Sequence, residues 1–376
     1  MKSISYFSKF KNPFIGIVLI VITTFNFCSC TKSCFYIGTY TSKDSKGIYK
    51  SNFNSFSGKM SQPLLVAQCN NPSFQSISDD NKILWTVNES WDKQGTVISY
   101  SIDRNSGNLK KIEEMSSEGS GPCYIDYYQQ SDNVVVANYG SGNITAIPTN
   151  GKGKLAGKFA THQHTGSGPN TLRQQEPHAH CAKVDPNGKY FYSCDLGTDE
   201  IYVYLIDKDS LLIHKTIKAE PGSGPRHIAF NIRHETMSVI NELNGTISTY
   251  KKDQEGCYSE YLNTVTALPV DFKGENKSAD IHYSSDGQFL YASNRGPDNI
   301  AIFKTESLNP EFVEWENSNI KTPRNFTIDP SGKYLLVANQ DDNSIVVFKI
   351  DRKNGKLKFT GNKINVSLPV CLTFLN

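Results

Sequence analysis

Charge of one sign, metal-ligand spacings, helical periodicity and internal linkers are all missing from this sequence, and each absence removes a class of protein. Lysine plus arginine number 39 against 37 aspartate plus glutamate, a formal net charge of +2. That balance argues against a nucleic-acid footprint or an acidic tail. Seven cysteines follow residue 30: Cys34, Cys69, Cys123, Cys181, Cys194, Cys257 and Cys371. They are odd in number and scattered, with no CxxC and no Cys/His ligand spacing, so neither a zinc site nor a disulfide framework is expected. They read as small buried hydrophobes. Cys181 and Cys194 lie on facing strands but are offset by a residue, so no bond is expected between them. There is no GxSxG elbow and no HExxH pair, which removes the support for serine-hydrolase and zinc-hydrolase chemistry. Methionine is scarce at four residues, whereas tyrosine and phenylalanine number 19 and 20. Aromatic side chains pack well on a pleated surface, so this bias favours strands.

The first thirty residues stand apart. Lys2, Lys9 and Lys11 precede an apolar run from Pro13 to Phe27, and Phe27-Cys28-Ser29-Cys30 follows. A basic start, a short apolar core and a small residue at the cut read as a secretory signal peptide. The run is too short for the roughly 20 residues of a bilayer-spanning helix. Its end resembles a bacterial lipobox, with Ser29 at the small position and Cys30 as the lipidated residue; ordinary secretory cleavage and an uncleaved anchor are the alternatives. Residues 1–30 are therefore set aside as a signal segment, and 31–376 form the folded part. That part is expected in the bacterial cell envelope, attached to the membrane through a lipid on Cys30, and in the cytoplasm only if the signal is unused.

Six segments of the folded part align without gaps: 72–88, 122–138, 179–195, 225–241, 278–294 and 323–339. Each ends in Asn or Asp, and four begin with Pro. Their middles include "DPNGK" at 185–189, "SSDGQ" at 284–288 and "DPSGK" at 329–333, turn chemistry joining two apolar runs. After each closing Asn or Asp comes a polar loop and a third strand, as in "EIYVYLID" or "SIVVFKID". The starts are 50, 57, 46, 53 and 45 residues apart. Periods near fifty with several short strands per unit indicate a β-propeller. A seventh start at Pro369 is cut short by the chain end, while Cys34–Phe53 carries the second-strand and third-strand pattern without a first. The expectation is an all-β, seven-bladed propeller whose last blade is closed by both termini, which leaves no open sheet edge.

Antiparallel pairing places the start of each first strand and the end of each second strand at one edge. The first strand of a blade is innermost, so this edge borders the central channel. Just after each start stand Ser73, Cys123, His180, Arg226, Ala279, Arg324 and Val370. Just after each closing Asn or Asp stand Glu89, Tyr139, Leu196, Glu242, Arg295 and Gln340, with Thr39 or Tyr40 as the seventh. Arg226 and Glu242 are the two ends of one hairpin and should face each other; His178 adds a second imidazole at the same rim. Guanidiniums near a carboxylate and imidazoles make an anion-binding pocket capable of acid–base work. Rim salt bridges between blades are the structural alternative. His162 and His164, in "THQHTGSGPN", read as loop residues, first as a solvated or loop-packed pair, with a cover over this mouth as the alternative.

The segments "GSGPNTLRQQEPHAHCAKVDPNGKYFYSCDLGTDEI", "GSGPRHIAF", "INELNGTISTY", "VVVANYGSGNITAI" and "DGQFLYASNRGPDNIAIF" resemble the seven-bladed lactonase propellers. That family includes a bacterial class of 6-phosphogluconolactonase and is similar to the fungal carboxymuconate-lactonising enzyme. The likeness spans 35–376. It implies ring opening of a cyclic ester with no metal and no other cofactor, and it puts the catalytic histidine on His178, an arginine on Arg226, the glutamate on Glu242 and a second arginine on Arg295. Glu242 or His178 would act as general base, and Arg226 and Arg295 would hold the oxyanion or an anionic substrate group. His180 and Arg324 become supporting or phosphate-side partners; Tyr139, Glu89 and Gln340 are further substrate contacts. Two departures from the family are "FNIRHE" at 230–235, in place of a DPDG-like turn at the far edge, and Asp280, where Glu is frequent. An exported chain sits awkwardly with a phosphorylated sugar lactone. An unphosphorylated lactone, a non-catalytic envelope propeller that binds a glycan or a protein, and a lactonising cyclase of unsaturated dicarboxylic acids are the competing readings.

Overall fold

The computed structural model describes residues 32–91, 94–157, 159–207 and 210–375; the signal-like segment and Cys30 lie outside them. The described residues form seven antiparallel sheets, six of four strands and one of five. The seven inner strands are Gln75–Ile77, Pro122–Tyr128, Lys183–Val184, Pro225–Asn231, Lys277–Tyr283, Pro323–Ile328 and Pro369–Phe374. In the last sheet Pro369–Phe374 pairs with Lys32–Thr39, so the C-terminal strand lies beside the N-terminal one. The ring closes where Pro369–Phe374 meets Gln75–Ile77 of the first sheet.

The second strand of each sheet is buried on both faces because a blade packs against a neighbour on either side. Asn133–Asn138, "NVVVAN", and Tyr334–Asn339, "YLLVAN", are buried throughout, which explains their unbroken apolar runs. Each buried Leu, Val or Phe contributes roughly 1.5–3 kcal/mol, and the blade interfaces hold most of the core.

The residues that define the repeat also tie blades together. Tyr36, Tyr291 and Tyr334, all on second strands, donate their hydroxyls to the Gly107, Gly355 and Phe56 carbonyls in the outer turns of the next blade. An aromatic body in the interface with a polar tip at its rim suits tyrosine. At the opposite edge the closing asparagines reach backwards. Asn138, Asn294 and Asn339 donate to the Ser117, Ala267 and Asn319 carbonyls of the preceding blade. The hairpin turns explain the remaining signature: Asp185 and Asp329 accept from two following backbone N–H groups, and Gly188 and Gly332 sit at φ 65°, a left-handed conformation that glycine takes without steric cost. In "FNIRHE" Glu235 takes that conformation instead, at φ 49°, with the turn held by Asn231 Oδ1.

Candidate active site at the narrow mouth of the channel

The ring of charged residues is aimed by bulges in the inner strands. Pro225 pairs with Asn241 and His227 with Ile240, leaving Arg226 without a partner; Arg324 is skipped in the same way between Pro323 and Asn325. Register slips at the same place next to Cys123, Ala279 and Val370. A bulge inserts one residue, bends the strand and re-aims a side chain. Here it lets consecutive residues, Arg226 and His227 or Arg324 and Asn325, both face the channel.

The result is a cavity of about 300 Å³ lined by Tyr40, Glu89, Trp91, Cys123, Tyr139, Arg173, His180, Glu242, Lys277, Arg295 and Arg324. Glu242 is at its centre electrostatically. Its Oε2 accepts from Arg226 Nε at 2.8 Å and Arg295 Nη2 at 3.1 Å, and its Oε1 accepts from Arg173 Nη2 at 2.7 Å. Burial alone would push this carboxyl up, but Arg295, Arg226 and Arg173 outweigh it and hold it at about 2. Arg226 is 2% exposed and also donates to the Ala279 carbonyl. Burial lowers Arg295's hold on its proton, Glu242 opposes that, and Arg226 and Arg324 add to it; a guanidinium stays cationic through such shifts.

The opposite wall carries the second carboxylate. Tyr40 donates to both oxygens of Glu89, at 3.1 and 3.0 Å, and Arg324 lies over the Tyr40 ring, 5.2 Å from its centroid. Among the described residues Arg324 has no carboxylate within ion-pair distance. His180 forms part of the floor. Burial first, then Arg226, His227 and Arg324, keep its pKa well below the ordinary value, so the imidazole is neutral. Below it, Phe74 stacks on Tyr124 at 4.0 Å with the His227 ring edge-on to both, and these three rings line the wider cavity on the far side. His227 joins the two sides: its Nε2 lies 3.2 Å from Arg226 Nη1 and its Nδ1 2.9 Å from Asp280 Oδ1. Four cationic side chains against two carboxylates line the cavity, a surplus suited to an anionic or oxyanion-forming ligand. Among the described residues no group of three or more His, Cys, Asp or Glu is arranged to hold a metal ion.

The seven-bladed β-propeller lactonase model matches residues 34–374. The chain belongs to that family. It is 34% identical over 348 residues to a 6-phosphogluconolactonase of Bacillus subtilis, covering 92% of this chain and 99% of the relative. A Bacteroides fragilis crystal structure described as a candidate 6-phosphogluconolactonase superposes with a TM-score of 0.86 at 37% identity, over 93% and 99% of the two chains. The Pseudomonas aeruginosa periplasmic gluconolactonase PpgL superposes with a TM-score of 0.86 at 29% identity, over 92% and 99%.

Within this lactonase-family propeller, Glu89, Tyr139, His180, Glu242, Arg295 and Arg324 line one cavity, and Arg226 stands directly behind Glu242. Of the two candidates for the seventh position, Tyr40 faces the cavity, while Thr39 is buried in its sheet and donates to the Gly47 carbonyl. His178 and Gln340 are not in the wall. Asp195 Oδ1 holds the His178 backbone N–H at 2.9 Å, ahead of the pairing of Ala179 with Asp195. The His178 ring therefore stacks on Tyr139, 4.4 Å between centroids, with Nδ1 3.0 Å from the Tyr139 carbonyl. Gln340 turns aside to Asp341 Oδ1. His162 lies on the outer strand Ala160–Gln163. His164 is buried between Asp195 Oδ2 and the Tyr204 hydroxyl, at 2.6 and 2.8 Å, so it packs one blade on the next and does not cover the mouth. Cys181 and Cys194 are free thiols. Arg173, Trp91 and Lys277 are wall residues that the repeat does not mark: Arg173 and Trp91 lie outside the hairpins, and Lys277, paired with Arg295, stands one residue ahead of its aligned segment.

Proposed function

We propose that the protein is a lactonase that opens a sugar-acid lactone of the 6-phosphogluconolactone type by metal-independent acid–base catalysis at this mouth. The observation that carries the reading is Glu242, held ionised among three guanidiniums in the wall of a cavity that also contains Arg324. Sugar δ-lactones are activated esters, so a weak base suffices if the oxyanion is well stabilised. Water held by Glu242 attacks the carbonyl carbon and gives its proton to the carboxylate. Arg295 and Arg324 bind the tetrahedral oxyanion, a donor role worth about 10²–10³-fold. The ring C–O bond then breaks, and the strongly acidic Glu242 carboxyl returns the proton to the departing alkoxide. The aldonate product leaves as an anion. His180, kept neutral, hydrogen-bonds the substrate without adding charge, and His178 acts as a buttress beneath Tyr139 instead of as the base.

The test is acid release, followed by pH-stat, from glucono-δ-lactone and its 6-phosphate. Acceleration of either by the wild-type protein, abolished in Glu242→Gln, supports the reading. No acceleration of either overturns it in favour of a binding propeller. The name of the Pseudomonas neighbour, a periplasmic gluconolactonase, together with the signal-like start of this chain, supports trying the unphosphorylated lactone alongside. Export with a lipid on Cys30 is part of the same proposal; loss of membrane association in Cys30→Ser, by fractionation, is the expected result.

A further inference from the structure

Glu242 is constrained in any mechanism that uses it, since both of its oxygens already accept from guanidiniums, which lowers their basicity. Oε2 is shared by Arg226 and Arg295, which come from inner and second strands and are committed elsewhere as well: Arg226 to His227 and the Ala279 carbonyl, Arg295 through Nε to the Lys277 carbonyl. Oε1 is held by Arg173 alone.

Arg173 differs from the other two in every respect that matters. It comes from the loop between Ala160–Gln163 and Lys183–Val184 rather than from a sheet. Among the described residues its side-chain hydrogen bonds run through Nη2, to Glu242 Oε1 at 2.7 Å and to the Tyr139 hydroxyl at 3.2 Å. Its side chain is 31% exposed, against 2% for Arg226 and 11% for Arg295. The backbone beneath it is nevertheless fixed. Gln174, fully buried, donates to the Leu196 carbonyl at 2.8 Å and accepts from the Asn170 N–H at 3.0 Å. The guanidinium can therefore change partner by rotating its own side chain, with no movement of the loop. A guanidinium fork also prefers a bidentate phosphoryl or carboxylate partner to a single carboxylate oxygen shared with a phenol.

We propose that Arg173 is the specificity residue of this site: an anionic substituent on the lactone, phosphoryl or carboxylate, draws the guanidinium away from Glu242 and frees Oε1 for the attacking water. Recognition of the distal anion and release of the base become one event. Oε2 stays with Arg226 and Arg295, so Glu242 keeps its position while the exchange occurs. A neutral lactone lacks the group that makes the exchange and meets a carboxylate whose Oε1 is still held by Arg173 and is the weaker base for it. This inference rests on the lactonase reading above and adds to it the chemical class of the preferred substrate.

The test uses the full-length protein, wild type and with Arg173→Gln and Arg173→Lys, on three lactones: neutral glucono-δ-lactone, its 6-phosphate, and glucaro-δ-lactone, which carries a carboxylate. Wild type is expected to prefer at least one anionic lactone, and the one it prefers identifies the anion. In Arg173→Gln, kcat/KM on that lactone falls about 10- to 100-fold, the loss of one charge-assisted contact, while kcat/KM on the neutral lactone rises. Arg173→Lys recovers part of the preference, keeping the charge and losing the fork. Inorganic phosphate is expected to inhibit the wild type competitively and the Gln variant more weakly. An equal loss on all three lactones, an unchanged preference, or a neutral-lactone rate that fails to rise overturns the proposal and leaves the lactonase reading standing. A wild type that opens none of the three overturns both.

Discussion

The two mouths of the channel are built from the same seven strands, and they differ in almost everything else. The wide mouth encloses about 990 Å³, against about 300 Å³ at the narrow one. Its carboxylates are spent on architecture. Asp126 accepts from Ser76 Oγ and the Val184 N–H of the flanking blades. Asp280 accepts from His227 and His282, from Asn325 Nδ2 at 2.6 Å and from the Phe326 N–H. At the narrow mouth the bulges turn Arg226 and Arg324 inward, and Glu242 alone satisfies Arg226, Arg295 and the loop residue Arg173. The contrast shows that cavity size is a poor guide to chemistry here. What sets the narrow end apart, and carries the proposal that it is the reactive one, is charge that the neighbouring blades do not consume.

Substitutions at the two ends should separate accordingly. The largest effect is expected from Glu242→Gln, which leaves buried guanidiniums without their counter-charge. Activity by pH-stat should fall about 10²–10⁴-fold, and urea melts should show a loss of about 3–5 kcal/mol. The same carboxyl sets an acid limb. Its folded value, about 2, lies below the ordinary 4.5, so its contribution is complete above about pH 4.5 and is lost as the pH falls toward 2. Melts of Glu242→Gln should lack that part of the acid dependence. Arg324→Gln comes next, with kcat/KM down about 10- to 100-fold for one missing charged contact and a smaller change in stability, because Arg324 is only half-buried. At the wide end Asp280→Asn should invert the pattern. Several donors would lose their acceptor, costing about 1–3 kcal/mol, while lactone opening drops less than about tenfold, about 1.4 kcal/mol in barrier. Thr373→Val, in the wall of the wide mouth, should leave activity unchanged and stability within about 0.5 kcal/mol. A large activity loss there would erase the distinction between the two ends.

Most of the ring was legible because a propeller is periodic. Once Pro225–Asn241 is aligned with Pro323–Asn339, Arg226 and Arg324 occupy equivalent places, and Glu242 and Arg295 follow from the ends of the second strands. The bulges were not legible, since nothing in "GPRH" or "TPRN" spells out an unpaired residue, and plain register already predicted the meeting of Arg226 with Glu242. His178 illustrates the limit of motif reasoning. Two residues from His180, it lies before strand pairing begins, and Asp195 turns it onto Tyr139 and away from the channel. Arg173 had no signal of its own, because its place depends on how Gln174 seats a loop. His164 looked like a solvated loop residue because its partners, Asp195 and Tyr204, are thirty and more positions away and reach it only through blade packing.

The direction of the strand Lys32–Thr39 has a consequence for how the molecule meets a surface. Thr39 lies at the arginine-bearing end, paired with Pro369, and Lys32 begins about 23 Å away at the usual rise of a strand. The polypeptide thus enters the ring from the side of the wide opening. A label fused at Lys32 would therefore sit a strand's length from the arginine-bearing opening and leave that opening reachable by diffusing solutes.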